Sequence, residues 1–368
     1  MARSNAFQGQ ISFLQVLDEQ GHVDAAEVPD LAVGELHAMY EAMRLTRTFD
    51  ERAFLLQREG RLGTYAQTLG QEAAQVGSAF ALAPLDWVVP SYRENGVLFC
   101  RGIPMQNILL YWGGDSRGMS GFKARHCLPF AVPVGTQIPH AVGVAMACKL
   151  RGEGVVVACY FGDGATSTGD FHAGLTMAGV FKAPVVFICQ NNQWAISVPR
   201  GRQCAAATLA QKAIGYGIDA IQVDGNDVLA CYAGTQEAVE RARGGGGATL
   251  VEAVTYRLGD HTTADDASRY RDATEVDAWR QRDPLVRLRR HLEHTGLWND
   301  EREAALLARC QRDVDRAVIV AESMTPADVA DVTHYTYAKP TGAPPIHVNA
   351  APMAQLEAAK LAAHKNAA

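Results

Sequence analysis

The sequence predicts an α/β protein built on a doubly wound parallel sheet flanked by helices. Three observations carry that reading. Residues 154–161 (GVVVACYF) and 184–190 (PVVFICQ) are continuous apolar runs rich in β-branched residues, the pattern of strands covered on both faces rather than one. Helix-like segments alternate with these and with strand-like runs at 218–223 and 249–256, which is the order of a parallel sheet with crossover helices. Polar, glycine-bearing segments follow the strand ends, where open α/β sheets place their ligands.

Taken in order, residues 1–32 read as an extended arm, with strand character at 11–17 and a turn at Asp18-Glu19-Gln20-Gly21. Leu36, Met39, Tyr40, Met43, Phe49, Phe54 and Leu55 recur at the spacing of an amphipathic helix over 34–60, ended by Gly60. Residues 71–82 and 104–112 also read as helices. Residues 113–134 lack periodicity and carry four glycines and two prolines, a long loop of the kind that carries function. The helix at 137–150 is rich in Ala, Gly and Val. The one at 168–180 presents Ala173, Gly174 and Ala178, and both suit close packing. A helix at 228–241 separates two strands. The polar segment 259–272 follows a strand end, and helices at 284–294 and 300–324 complete a domain spanning 33–330. Residues 331–368 form a tail. The run Gly244-Gly245-Gly246-Gly247 lacks the Lys-Ser/Thr of a phosphate loop and is read as a surface connection.

At 368 residues and 48% apolar content the chain can bury a sizeable core in one or two domains. Its net charge of −6 comes from 34 basic and 40 acidic residues spread along the chain, which points to neither a nucleic-acid nor a membrane partner. Eight cysteines contain no CxxC pair, and Cys159 and Cys189 lie inside predicted strands. They read as reduced thiols in a reducing compartment rather than as a zinc site or a disulfide framework. Residues 1–10 lack the basic-then-apolar order of a targeting segment, and no apolar run reaches membrane-spanning length, so a cytoplasmic location is expected.

The chemistry concentrates at two strand ends. Gly162-Asp163-Gly164 closes the first apolar run, with one carboxylate between two glycines that let backbone come close to a ligand. The helix that follows would turn its amide-bearing N-terminus toward an anion. The second run delivers Asn191-Asn192, whose side-chain carbonyls are hard oxygen ligands. Magnesium in phosphate sites takes one or two protein oxygens beside phosphate oxygens and water. Taken singly, Asp163 is a turn residue and the asparagines a polar strand end. Together, at adjacent strand ends, they read as a magnesium diphosphate cradle.

That order of GDG, helix, strand and NN resembles the thiamine diphosphate signature. Tyr92-Arg93 and residues 63–73 (GTYAQTLGQEA), 135–139 (GTQIP) and 259–266 (GDHTTADD) are similar to the α subunits of heteromeric 2-oxoacid dehydrogenases, and the resemblance covers nearly the whole chain. It implies a thiamine diphosphate-binding fold and the α half of the decarboxylating component of a pyruvate or branched-chain 2-oxoacid dehydrogenase complex. It implies magnesium ligation by Asp163, Asn192 and the backbone carbonyl of Trp194. Further cofactor contacts are implied for Tyr92, Arg93, Gly162, Gly164 and Ala165, and for the backbone of Val134 against the aminopyrimidine. Arg93 suits a phosphate because its fork donates two aligned hydrogen bonds. His261 matches a family position that sits over the cofactor, binds diphosphate and is implicated in reductive acylation of lipoyl groups. His126, in the long loop, is the second catalytic candidate, while His140 and His172 read as helix residues. Thr136 and Gln137 resemble a potassium-binding element of branched-chain members, but Ala131 stands where those members place a serine ligand.

In such enzymes the cofactor carries the hard chemistry and the protein anchors and orients it. The family's essential carboxylate, which protonates the aminopyrimidine, belongs to another subunit, and no second cofactor-binding half is visible in this sequence. The resemblance therefore implies a chain inactive alone, an α2β2 assembly with a β subunit, a small 2-oxoacid substrate and a lipoyl-bearing acyltransferase downstream. The substrate stays open between two acids, pyruvate being put first. Residues 65–72 and the arm at 13–21 look like bacterial pyruvate members, whereas TQIP and GNDV (225–228) look branched-chain. A dinucleotide-binding oxidoreductase is disfavoured because no GxGxxG follows a strand, and a non-catalytic scaffold because Asp163, Asn192 and His261 are intact.

Overall fold

The computed structural model describes residues 3–130 and 132–325. The chain divides into the units Met1–Ala321 and Glu322–Ala368. The tail expected at 331–368, and Ala131 with it, lie outside the described residues.

The first half of the chain supplies β1 (Phe13–Leu14), α1 (Val33–Arg58), α2 (Glu72–Phe80), β2 (Trp87–Val89), α3 (Asn95–Cys100), α4 (Met105–Trp112), α5 (Gln137–Arg151), β3 (Val157–Gly162) and α6 (Gly169–Phe181). The second half supplies β4 (Val185–Asn191), β5 (Trp194–Ala195), β6 (Val198–Pro199), α7 (Arg200–Gln203), β7 (Asp219–Asp224), α8 (Val228–Arg243), β8 (Thr249–Val254), α9 (Ala273–Arg280), α10 (Pro284–His294) and α11 (Asp300–Ser323).

Six strands form one wholly parallel sheet in the order β1-β7-β8-β4-β3-β2, and β5 and β6 make a separate antiparallel hairpin. Alternation along the strands explains the continuous apolar runs. Ala158, Tyr160, Val186, Ile188, Val251 and Ala253 share a core with α1, α2 and α8. Their neighbours Val157, Cys159, Phe161, Val185, Phe187 and Leu250 share another with α5 and α6. Both faces are therefore covered, which is what a doubly wound sheet requires. On the first face α2 and α8 approach so closely that a Cβ at Gly77 would lie 2.5 Å from the Val228 carbonyl oxygen.

The arm lies along the sheet edge, but its strand shrinks to two residues. Phe13 and Leu14 pair with Gln222 and Val223. Beyond Gln15, the amides of Val16 and Leu17 donate to the Asp227 carboxylate at 2.7 and 2.6 Å instead of to a strand. The other oxygen of Asp227 caps α8 through the amides of Leu229 and Ala230. Elsewhere β2, α3 and the β5–β6 hairpin were not foreseen from the sequence. Each is only two to six residues long, too short to show a period. The expected long loop at 113–134 is present and contains two 3-10 turns, Ser116–Met119 and Lys123–Arg125.

Because all six strands point the same way, their carboxyl ends share one edge. Residues following β2 (Tyr92, Arg93), β3 (Asp163), β4 (Asn192) and β8 (Arg257, His261) are thereby brought together.

Candidate cofactor site

A cleft of about 310 Å³ opens at that edge. Tyr92, Arg93, Val134, Gly162, Asp163, Gly164, Ala165, Asn192, Trp194 and His261, every residue expected around a cofactor, line it. His126 does not. Its carbonyl accepts from Val88 N–H at 2.8 Å, which docks the long loop beside β2, and its ring packs edge-on against Trp87 at 5.2 Å. There it lines a separate hollow with Phe80, Leu82 and Cys100. The placement gives the catalytic expectation for His126 no support.

The turn after β3 is a 3-10 turn, Asp163–Ser167, inserted before α6, whereas the sequence pointed to the helix following directly. Thr168 caps α6 by accepting from Phe171 N–H. The turn is held from outside: Gln203 Nε2 donates to the Asp163 carbonyl at 2.9 Å and Lys212 Nζ to that of Thr166 at 2.8 Å. Gly164 is required by the protein itself, since a Cβ there would meet Ala195 Cβ at 2.9 Å. At Gly162 the nearest protein atom to a Cβ is 3.9 Å away. The open space there belongs to the cleft.

Asp163 is 1% exposed and its Oδ2 has no hydrogen-bond partner among the described residues. Burial pushes its carboxyl up to about 6, against the backbone amides of Asp163 and Asn192 and the charge of Arg257. A desolvated carboxylate with a free oxygen is a strong attraction for a cation. Beside it, Asn192 Oδ1 accepts from Trp194 N–H at 3.3 Å and its Nδ2 donates to Gln71 Oε1 at 3.0 Å. The Trp194 carbonyl accepts from Arg257 Nη1 at 3.2 Å, which leaves one lone pair for another partner. Gln137 Oε1, in the same cleft, is also buried without a donor, while Thr136 Oγ1 donates to the Pro133 carbonyl.

The same cleft holds a cationic group of which the sequence pointed to Arg93 alone. Arg93 (5% exposed) donates to the carbonyls of Gln67 and His261, and Arg257 (1% exposed) to the carbonyls of Trp194 and Ile196 and to Tyr270 Oη. Among the described residues neither guanidinium hydrogen-bonds a carboxylate. Burial and the nearby Arg93 push Arg257 down to about 10. His261 Nδ1 faces both, at 3.3 Å from Arg93 and 3.4 Å from Arg257. Burial and the two arginines drive its pKa down to about 3, so the ring is neutral at pH 7. Two buried guanidinium groups that hydrogen-bond no carboxylate among the described residues, lining one cleft, suit an anion. The Arg93 side is braced by α1, whose Asp50 carboxylate accepts from Tyr65 Oη and the amides of Thr68 and Leu69.

Residues 40–330 match the family model described as dehydrogenase E1 component. The chain belongs to that family. It is 52% identical over 282 residues, 77% of each chain, to the 3-methyl-2-oxobutanoate dehydrogenase subunit alpha of Mycobacterium tuberculosis. It is 43% identical over 335 residues, 90% of each chain, to the pyruvate dehydrogenase E1 component subunit alpha of Staphylococcus aureus. As an α chain of the 2-oxoacid dehydrogenase E1 family it is an oxidoreductase subunit, and the parallel sheet described above is this family's fold. Among the described residues no helix is long and apolar enough to cross a membrane.

Arg257, Gln71 and Glu94 line the cleft and were missed as site residues, and Gln137, named only for a potassium-binding element, lines it too. Arg257 lay unread between a strand end and a polar loop, where an arginine is ordinarily a surface charge. The position of Gln71 within the GQEA segment was quoted only as resemblance.

Proposed function

We propose that the cleft binds thiamine diphosphate with magnesium, and that the chain is the α subunit of a pyruvate dehydrogenase component transferring acetyl groups to a lipoyl-bearing acyltransferase. The carrying observation is the complementarity within one cleft: an unpartnered, buried Asp163 oxygen and the Asn192 amide line it together with two buried arginines that hydrogen-bond no carboxylate among the described residues. The donor set fits the group. Asp163 Oδ2, Asn192 Oδ1 and the Trp194 carbonyl are hard oxygens suited to magnesium. Arg93, Arg257 and a neutral His261 offer N–H donors to the diphosphate. When bound, the cofactor supplies the nucleophile for the keto carbon and the electron sink for decarboxylation.

This chain's own residues anchor and orient. Val134 and Ile196, 49% and 55% exposed, present apolar side chains to the cleft. Among the described residues no further carboxylate stands in the cleft besides Asp163 and Glu94. Glu94 is engaged by Ser91, Gln190 and the amide of Arg93. The acid that activates the aminopyrimidine is accordingly assigned to a β subunit, and the assembly to α2β2. A cytoplasmic location accords with eight free cysteines.

The branched-chain substrate is the second reading, favoured by the 52% identity to the mycobacterial relative. The longer match, over 90% of each chain, is to a pyruvate enzyme. The test is to assay the chain, alone and coexpressed with a β subunit, against pyruvate and 3-methyl-2-oxobutanoate with an artificial electron acceptor. The chain alone is expected to be inactive, and the pair to have higher kcat/KM for pyruvate. Turnover by the chain alone contradicts the two-subunit reading, and preference for the branched acid replaces the first substrate with the second.

A further inference from the structure

The orientation of two side-chain amides in the cleft follows from one donor that cannot be turned around. Trp194 N–H is a backbone amide and lies 3.3 Å from a terminal atom of Asn192, which must therefore be Oδ1. Asn192 Nδ2 then faces the side chain of Gln71 at 3.0 Å, so the Gln71 atom that meets it must be Oε1. The consequence falls on the far end of Gln71. Its Nε2 is buried and finds no acceptor among the described residues, although the residue is 0% exposed and lines the cleft beside Asp163 and Asn192. A buried amide donor left without an acceptor loses its hydration with nothing in return, so a partner is expected from outside the protein.

We propose that Gln71 is a ligand-binding residue of this cleft, its Nε2 donating to a diphosphate oxygen while its Oε1 holds the Asn192 amide with the remaining lone pair of Oδ1 left for magnesium. The inference rests on the diphosphate reading of the cleft and adds to it a donor from the N-terminal boundary of α2. One side chain thereby serves both parts of a magnesium diphosphate. Reversing either amide would set N–H against N–H at Trp194 or at Gln71.

The test is calorimetric titration of the full chain, coexpressed with its β subunit, using magnesium pyrophosphate as probe. Gln71→Glu keeps an acceptor for Asn192 Nδ2 and replaces only the free donor, by a carboxylate oxygen. At pH 8 its affinity is expected to fall by about 10- to 150-fold, the range of a hydrogen bond to a charged group. The deficit should narrow as pH is lowered, because a protonated carboxyl regains a donor, and a purely structural role for Gln71 would produce no such recovery. Should that variant fail to fold, Gln71→Met, which removes both the donor and the acceptor of Asn192 Nδ2, is expected to lose about tenfold or more in affinity. Wild-type affinity in the folded variant overturns the inference and leaves the functional reading standing. Failure of the wild-type protein to bind the probe removes the functional reading, and the inference with it.

Discussion

Replacing Asp163 by alanine is expected to lower magnesium-dependent affinity for thiamine diphosphate by a factor on the order of 10² or more, since even residues behind the direct ligands are worth 10–100-fold in metal affinity. Asp163 is the single charged group among the three magnesium donors assigned here, and its Oδ2 is buried without a partner. The same substitution should leave the cofactor-free protein at least as stable at pH 7. The sign follows from the direction of the shift. A carboxyl whose folded value, about 6, lies above its ordinary 3.8 holds its proton more tightly when folded. As pH rises through that window the ionised group increasingly weakens folding, and alanine removes the burden. Thermal unfolding without cofactor and calorimetry with it together check both halves. Unchanged affinity would sink the assignment, and a large loss of stability without cofactor would make Asp163 a structural residue.

His261→Ala is expected to separate two half-reactions. Decarboxylation read with an artificial electron acceptor should persist, while acyl transfer to a lipoyl domain should fall by a factor on the order of 10² or more, as for a positioned acid or hydrogen-bond donor. The geometry supplies the reason. Nδ1 lies 3.3 and 3.4 Å from the guanidinium nitrogens of Arg93 and Arg257, which can only donate, so Nδ1 is the acceptor and the proton resides on Nε2. Two arginines thus hold a neutral ring in the one tautomer that keeps Nε2–H as its free donor. The loop is tied as well: Asp265 accepts from the His261 amide at 2.9 Å and from Tyr270 Oη, and Tyr270 Oη in turn accepts from Arg257. Equal rates of lipoyl acylation in mutant and wild type would reduce His261 to a packing residue.

The sheet and its edge were legible because strands covered on both faces leave long apolar runs, and GVVVACYF and PVVFICQ are such runs. GDG and NN were legible because each follows one of them directly. Arg257 was not, for a physical reason: its importance comes from burial at 1% exposure beside a second arginine, and burial of a charge cannot be seen from its neighbours in sequence. The arm's strand was overread because nothing local shows that Asp227, far along the chain, takes the amides of Val16 and Leu17. His126 was put forward because a loop carrying glycines and prolines looked functional, and bonding between Val88 and His126 lays that part of the loop along the flank of β2, away from the residues that line the cleft.

The most direct measurement is calorimetric titration of the α chain, coexpressed with its β subunit, with thiamine diphosphate in the presence of magnesium and again in excess chelator. Binding of one cofactor per α chain with magnesium, lost in chelator, is the expected result. Binding of equal strength without the metal, or none with it, would contradict the claim that the cleft at the carboxyl edge of this sheet is a magnesium diphosphate site.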